Sequence, residues 1–236
     1  MNLTNAAQKV FSHVVGLASC PKLEFNLPED LPKIQFSTGT GVLLGSSGYV
    51  LTAKHVLPPA GWKLFVAINL PASIPQTILT DFTIATEYPE HDLAILRIAG
   101  PEVDLSFLNS IEQLQVSFDT PYYGTPLGSF GYPLPKIKID SIKHHLGPDL
   151  ELRFKSFYVA AINDKVGNTK YIVLDSFAYS GHSGGPVYDT EGKIIGLIVR
   201  SELDKSGQIP ISYSHASLLS NIHSDLSRFL EVRTQA

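Results

Sequence analysis

Residues 179–187 read Y-S-G-H-S-G-G-P-V, which surrounds Ser183 with the smallest side chains a protein has. A serine hydroxyl is a poor nucleophile at neutral pH. It needs a base within hydrogen-bond reach, usually a histidine, and a group that orients that base. It also needs donors aimed at the oxyanion that develops on the attacked carbonyl. Glycine next to such a serine lets backbone N–H groups face that oxygen with no Cβ in the way. The N–H groups of Gly181 and Ser183 are the natural pair. Taken alone, the stretch fits an ordinary turn as well.

The chain has eight histidines from which a base would come. His55 lies in G-Y-V-L-T-A-K-H-V-L, directly after an apolar run whose small Thr52 and Ala53 allow close packing under a site. Asp92 lies in E-H-D-L-A-I-L-R-I, at the entrance to another apolar run. Each by itself reads as a strand-end residue. Together they give the order His, Asp, Ser, with the first two in one set of strands and Ser183 in another.

That order, with T-A-K-H-V, H-D-L-A-I-L, G-H-S-G-G-P-V and the upstream strand G-T-G-V-L-L-G, resembles the chymotrypsin-like (trypsin-fold) serine peptidases over about residues 35–215. The resemblance implies that Ser183 attacks the scissile carbonyl and His55 shuttles the proton. It implies that Asp92 fixes the tautomer of His55, and that Gly181 and Ser183 N–H groups form the oxyanion hole. It places the strand that pairs with substrate backbone at Val199, Arg200 and Ser201. Phe177 stands where basic-specific relatives carry an aspartate, with Ala178 after it. With Ile211 on the opposite wall, a small or apolar residue is expected at the cleavage site.

His182 stands where digestive relatives have an aspartate that binds a new N-terminus, and there is no I-V-G-G-like start, so activation by N-terminal cleavage is not expected. Without disulfides, and with G-T-P-L-G-S-F-G-Y-P at 124–133, the chain looks most like bacterial peptidases of the high-temperature-requirement type. Those usually continue into a peptide-binding domain of the PDZ kind. Here such a domain is expected on another chain or a longer parent.

The positioning elements follow from periodicity. Leu3, Ala7, Val10, Val14 and Leu17 recur at helical spacing and predict a helix over 3–15. Residues 19–38 read as a link with a short strand. Short apolar or alternating runs broken by Gly, Pro, Ser and Asp then predict a first set of strands, a polar crossover at 101–121, and a second set. Leu218, Leu219, Ile222, Leu226, Phe229 and Leu230 predict a closing helix over 214–231, capped by Ser217 and packed on the second set. The fold class is all-β: two six-stranded antiparallel β-barrels in one domain spanning 1–236, with an N-terminal and a C-terminal helix. The barrels are expected at about 35–100 and 122–213.

Composition narrows the rest. With 236 residues, 44% hydrophobic and 17% charged, the chain can bury an ordinary core, and 18 glycines and 16 prolines suit short strands and turns. A net charge of −4 without like-charge blocks argues against nucleic acid, and the mildly basic K-I-K-I-D-S-I-K-H-H reads as a solvated loop or strand edge. No apolar run reaches membrane-spanning length, and Val14 to Ala18 is too short for a signal peptide. The single Cys20 excludes an intrachain disulfide and favours a reducing, cytoplasmic location, with a periplasmic or secreted one if a leader has been removed.

His144 and His145 lack a third metal ligand at suitable spacing, and the glycines at 39–45 are misspaced for a dinucleotide. No metal or cofactor is therefore expected. The expected partners are a polypeptide substrate and a regulatory protein. The segment 177–182 is the expected point of control, disordered until substrate or partner binds. The rival readings are a silent binding module on the same fold and an esterase using the same three residues.

Overall fold

The computed structural model describes residues 2–21, 37–68, 76–99, 108–109, 111–133, 136–140, 145–166, 169–204 and 211–230. Helix α1 (Leu3–Phe11) is capped by Asn2, whose Oδ1 accepts the Asn5 N–H at 3.2 Å. It ends earlier than the 3–15 that apolar spacing predicts. Two β-branched valines and then Gly16 follow, all poor helix formers. They find two partners instead: strand β1 (Val14–Pro21) lies between β2 (Ser37–Leu43) and β4 (Trp62–Ile68). Buried on both faces, β1 has no alternation to betray it.

With β3 (Tyr49–Ala53), β5 (Gln76–Tyr88) and β6 (Leu93–Ala99), these strands close a six-stranded antiparallel barrel in the order β1-β2-β3-β6-β5-β4. The first barrel therefore starts at residue 14 rather than 35. The second barrel uses β7 (Pro126–Gly131), then, after a two-stranded hairpin of β8 (Lys136–Asp140) and β9 (His145–Asp149), the long β10 (Arg153–Val166), β11 (Thr169–Leu174), β12 (Pro186–Tyr188), β13 (Ile194–Asp204) and β14 (Ile211–Leu218). It closes in the order β10-β11-β14-β13-β12-β7. The hairpin takes up most of the basic segment read as a loop or strand edge, and His144 lies outside the described residues.

Residues 214–218, expected in the closing helix, belong to β14, where Ser217 pairs with Leu197 and Tyr171. The alternating I-S-Y-S-H-A-S-L satisfies two neighbouring strands before a short 3-10 turn (Leu219–Ile222) and helix α2 (His223–Leu230) begin. Between the barrels, the crossover bonds to the start of β13 through Ser117 N–H to Ile194 O (2.9 Å) and Ile194 N–H to Gln115 O (2.9 Å).

One apolar cluster fills the first barrel and runs through Phe130, Tyr132, Tyr188 and Leu197 into the seam between barrels, while a second fills the other barrel around Phe157, Ile172 and Leu218. Each terminal helix packs on the barrel remote from it in sequence. From α1, Phe11 packs edge-on against Phe130 at 6.2 Å, and Lys9 Nζ donates to Glu191 O at 3.1 Å. From α2, Phe229 packs on Tyr49 of β3 at 5.0 Å, so this helix does not sit on the second barrel alone as expected.

Candidate active site

His55 follows β3 in a 3-10 turn (Lys54–Val56), and Asp92 ends a second such turn (Pro89–His91) that leads into β6. Proline at the start of that turn presets its geometry. Asp92 then takes a left-handed backbone (φ 51°), the one non-glycine residue to do so among those described. An aspartate tolerates this better than most. The conformation aims its carboxylate back at the other turn. Asp92 Oδ2 lies 2.7 Å from His55 Nδ1, and Oδ1 accepts the His55 backbone N–H at 3.1 Å. Lys54 N–H donates to Asp92 O at 2.9 Å, so the two turns are joined by backbone as well. The ring bond favours the tautomer with Nδ1–H toward the carboxylate, which leaves Nε2 as the basic nitrogen, and the backbone bond anchors the carboxylate.

The turn carrying Ser183 is set against the ends of β2 and β3. Thr40 N–H donates to Ser183 O (2.8 Å), and Thr40 Oγ1 donates to Gly181 O (2.6 Å) and accepts the Tyr132 N–H (3.1 Å). Thr52 Oγ1 donates to Thr40 O at 2.7 Å. Thr40 thus ties one barrel to the serine turn of the other. Sequence reasoning missed it as a site residue; its only signal was a threonine between two glycines on the strand before the histidine strand.

The glycines answer the question their cluster raised. Gly181 (φ 94°) and Gly184 (φ 81°) are left-handed, and a Cβ would lie 2.2 Å from Tyr132 O at the first and 2.0 Å from Thr40 O at the second. Among the described residues neither Gly181 N–H nor Ser183 N–H donates to a protein acceptor, whereas the N–H groups of His182, Gly184 and Gly185 are all used. Two adjacent free donors beside a serine are what a developing oxyanion needs. Ser183 Oγ carries no hydrogen bond to the His55 ring among the described residues. Such bonds are often long without substrate and tighten in its presence.

The other predicted residues fall into place unevenly. Beyond Ile198, whose N–H and O bond to Gly185 and Gly184, β13 pairs only with β14 among the described residues, so Val199 to Ser201 present a backbone edge that no described strand covers. Val199 is buried there, and Arg200 is exposed and paired with Glu202 at 2.7 Å. Phe177 and Ala178 line up against β14 through Ser214, whose Oγ accepts the Ala178 N–H (2.7 Å), donates to Ser176 O (2.9 Å) and lies 3.0 Å from Ser201 Oγ. Ser214, buried and bonded to this stretch, is a residue that sequence reasoning missed. Ile211 sits three residues away along β14, opposite Asp204, and its side chain lies outside the described residues.

His182 is 1% exposed, and burial together with the charge of Lys155 holds its imidazole down to a pKa of about 4, against a weaker pull from the Tyr179 backbone. It is a neutral buried ring beside the serine. The segment 177–182 is held by Lys155 Nζ donating to Phe177 O, and by His182 N–H to Tyr179 O at 3.0 Å. It is thus built with bonds of its own. No group of three metal-ligating side chains occurs among the described residues, and no helix among them is long and apolar enough to cross a membrane.

A family model described as a trypsin-like peptidase domain matches residues 39–197. The chain is 27% identical over 201 residues to a probable periplasmic serine endoprotease, DegP-like, of Chlamydia pneumoniae, covering 84% of this chain and 36% of that one. It is 26% identical over 159 residues to the serine endoprotease DegS of Haemophilus influenzae, covering 67% and 40%. The chain thus spans little more than a third of the length of these curated relatives. Among solved structures, it is similar to an HtrA-type protease AlgW with tripeptide (TM-score 0.64, 20% identity, 98% of this chain and 64% of that one). It is likewise similar to a serine endoprotease from Yersinia pestis (TM-score 0.64, 18% identity, 98% and 67%). These two share its double-barrel fold. The DegP-like relative is named periplasmic, which gives no support to a cytoplasmic location.

Proposed function

This chain belongs to the family of trypsin-like peptidase domains, and from that premise we propose that it is a serine endopeptidase that cleaves polypeptides through an acyl-enzyme on Ser183. Ser183 Oγ attacks the carbonyl carbon while its proton passes to His55 Nε2. Asp92 holds the imidazole in the tautomer that can accept there and stabilises the imidazolium. The oxyanion takes hydrogen bonds from Gly181 and Ser183 N–H. The C–N bond breaks as His55 returns the proton to the leaving amine. Water, deprotonated by the same imidazole, then releases the acyl group as a carboxylate.

The observation that carries this reading is the doubly bonded His55–Asp92 pair across from a serine turn with two unused N–H donors. The free edge at Val199, Arg200 and Ser201 suits an extended peptide, which favours polypeptides over simple esters. Phe177, Ala178 and Ile211, with buried Ser214 added, suit a small or apolar residue at the cleavage site. The periplasmic naming of relatives favours an exported chain, regulated by a domain or partner outside these residues.

The test is labelling by a fluorophosphonate probe, with Ser183→Ala and His55→Ala as controls. We expect labelling of the native chain and none of either variant. A native chain that stays unlabelled while binding peptide would mean a silent binding module. Labelling with turnover of esters but not of an unstructured polypeptide would mean an esterase.

A further inference from the structure

A neutral imidazole is a donor and an acceptor, and a buried one without partners is costly, at roughly 1–3 kcal/mol per unsatisfied group. His182 is 1% exposed, and beyond a weak pull from the Tyr179 backbone neither ring nitrogen has a hydrogen-bond partner of ordinary geometry among the described residues. The ring has a seat built for it: a Cβ on Gly131 would lie 2.5 Å from its Cγ and Cδ2. One side of this seat opens on a cleft of about 450 Å³ that includes no residue of the His55–Asp92–Ser183 set.

The charges in that cleft do not balance. Arg153 is bonded to Glu151 at 2.7 Å. Lys155 has no carboxylate at ion-pair distance among the described residues, and only the more distant Asp175 offsets its charge. Its ammonium donates to Phe177 O and lies 5.0 Å from the Tyr179 ring centre and 5.5 Å from that of Phe157. The rim is aromatic, with Phe154 49% and Tyr179 59% exposed. A cation without a close carboxylate and a poorly satisfied imidazole in an aromatic-rimmed cleft fit one chemistry.

We propose that this cleft is a second binding site, which takes the carboxylate of an apolar acid such as the C-terminal residue of a peptide. The carboxylate pairs with Lys155 Nζ and accepts the His182 ring N–H, and the apolar group lies between Phe154 and Tyr179. A free phosphate fits less well, because a more highly charged, strongly hydrated anion gains nothing from aromatic walls.

The site lies behind the Ser183 turn. Lys155 and His182 hold the two ends of the segment 177–182, which presents the Gly181 and Ser183 N–H groups. An acid that grips both ends stiffens those donors. If the proposed peptidase reading holds, hydrolysis itself creates acids of this class, so products of the first cuts favour later ones. The binding claim does not depend on that reading.

The experiment uses Ser183→Ala protein with ¹³C-labelled histidine rings, the His182 signal being the one lost in His182→Gln. The probes are N-acetyl-phenylalanine, its amide and inorganic phosphate. We expect a saturable shift of the His182 signal with the acid alone, and intermolecular NOEs from the probe ring to Tyr179. The affinity should fall by at least about tenfold in Lys155→Met and be kept in Lys155→Arg. An absent shift, an equal response to the amide or to phosphate, an unaffected Lys155→Met, or NOEs to His55 or Val199 instead would each overturn the proposal.

The NOEs are read in protein that keeps Lys155, so a misfolded Lys155 variant leaves the test intact. In the native chain the acid should also raise the rate of fluorophosphonate labelling. A chain that binds the acid but never labels would refute the peptidase reading and leave the site standing.

Discussion

Asp92 does two jobs with one carboxylate, holding both the ring and the backbone of His55. Asp92→Asn keeps the shape but offers an amide where Nδ1–H needs an acceptor. We expect kcat for peptide hydrolysis to fall by about 10⁴-fold, with folding stability within about 1 kcal/mol of the native chain. His182 gives a second test at this scale, through pH. Its pKa is about 4 in the folded protein, lowered by burial first and Lys155 second. In the unfolded chain it is near 6.5. Protons therefore bind the unfolded state more readily, so stability is full above pH 6.5 and is lost as pH falls toward 4. Denaturant unfolding at pH 7 and 4.5 should show roughly 2.5 kcal/mol more loss in the native chain than in His182→Gln.

At the scale of elements, the turn bearing Asp92 belongs to one barrel but is held by the other. The hydroxyl of Thr169, buried at the start of β11, donates to Glu90 O at 2.7 Å and accepts from His91 Nδ1 at 2.7 Å. Asn221 grips the next residue of that strand through Lys170 N–H (2.9 Å) and Lys170 O (3.0 Å). Thr169→Val keeps the strand and loses both bonds, which frees a left-handed Asp92. A fall in kcat of about 10- to 100-fold with KM little changed is expected, and Thr169→Ser should restore it. Equal loss in the valine and serine variants would mean that the threonine only fills space. Thr40→Val should act alike on the serine turn, lowering the rate of fluorophosphonate labelling by a similar factor.

For the molecule as a whole, the terminal helices cross over, α1 to the second barrel and α2 to the first. The seam that holds the catalytic candidates is thus strapped on two sides. Phe229 is half-buried and packs edge-on against Tyr49. Phe229→Ala should cost about 2–3 kcal/mol in denaturant unfolding, less than a fully buried phenylalanine. If the strap acts on the seam, labelling of Ser183 should weaken at denaturant concentrations below the global transition.

Alternation and turn residues made most strands legible, because a half-buried strand must show its two faces in sequence. The candidates His55, Asp92 and Ser183 could be picked out from sequence because nucleophilic chemistry restricts residue types and glycine marks close approach, and the 2.7 Å His55–Asp92 contact supports that choice. What failed had a common cause. Buried on both faces, β1 presents an apolar run that helix spacing fits equally well, and β14 kept Ser217 because two neighbouring strands outbid a helix cap. Thr40, Thr169 and Ser214 are ordinary residues whose hydroxyls matter only through backbone groups far away in sequence. Likewise the poorly satisfied His182 ring and the lack of a close carboxylate beside Lys155 are properties of packing. Sequence determines which chemistry a chain can carry, and only the meeting of the two barrels decides which neutral or polar groups stand next to it.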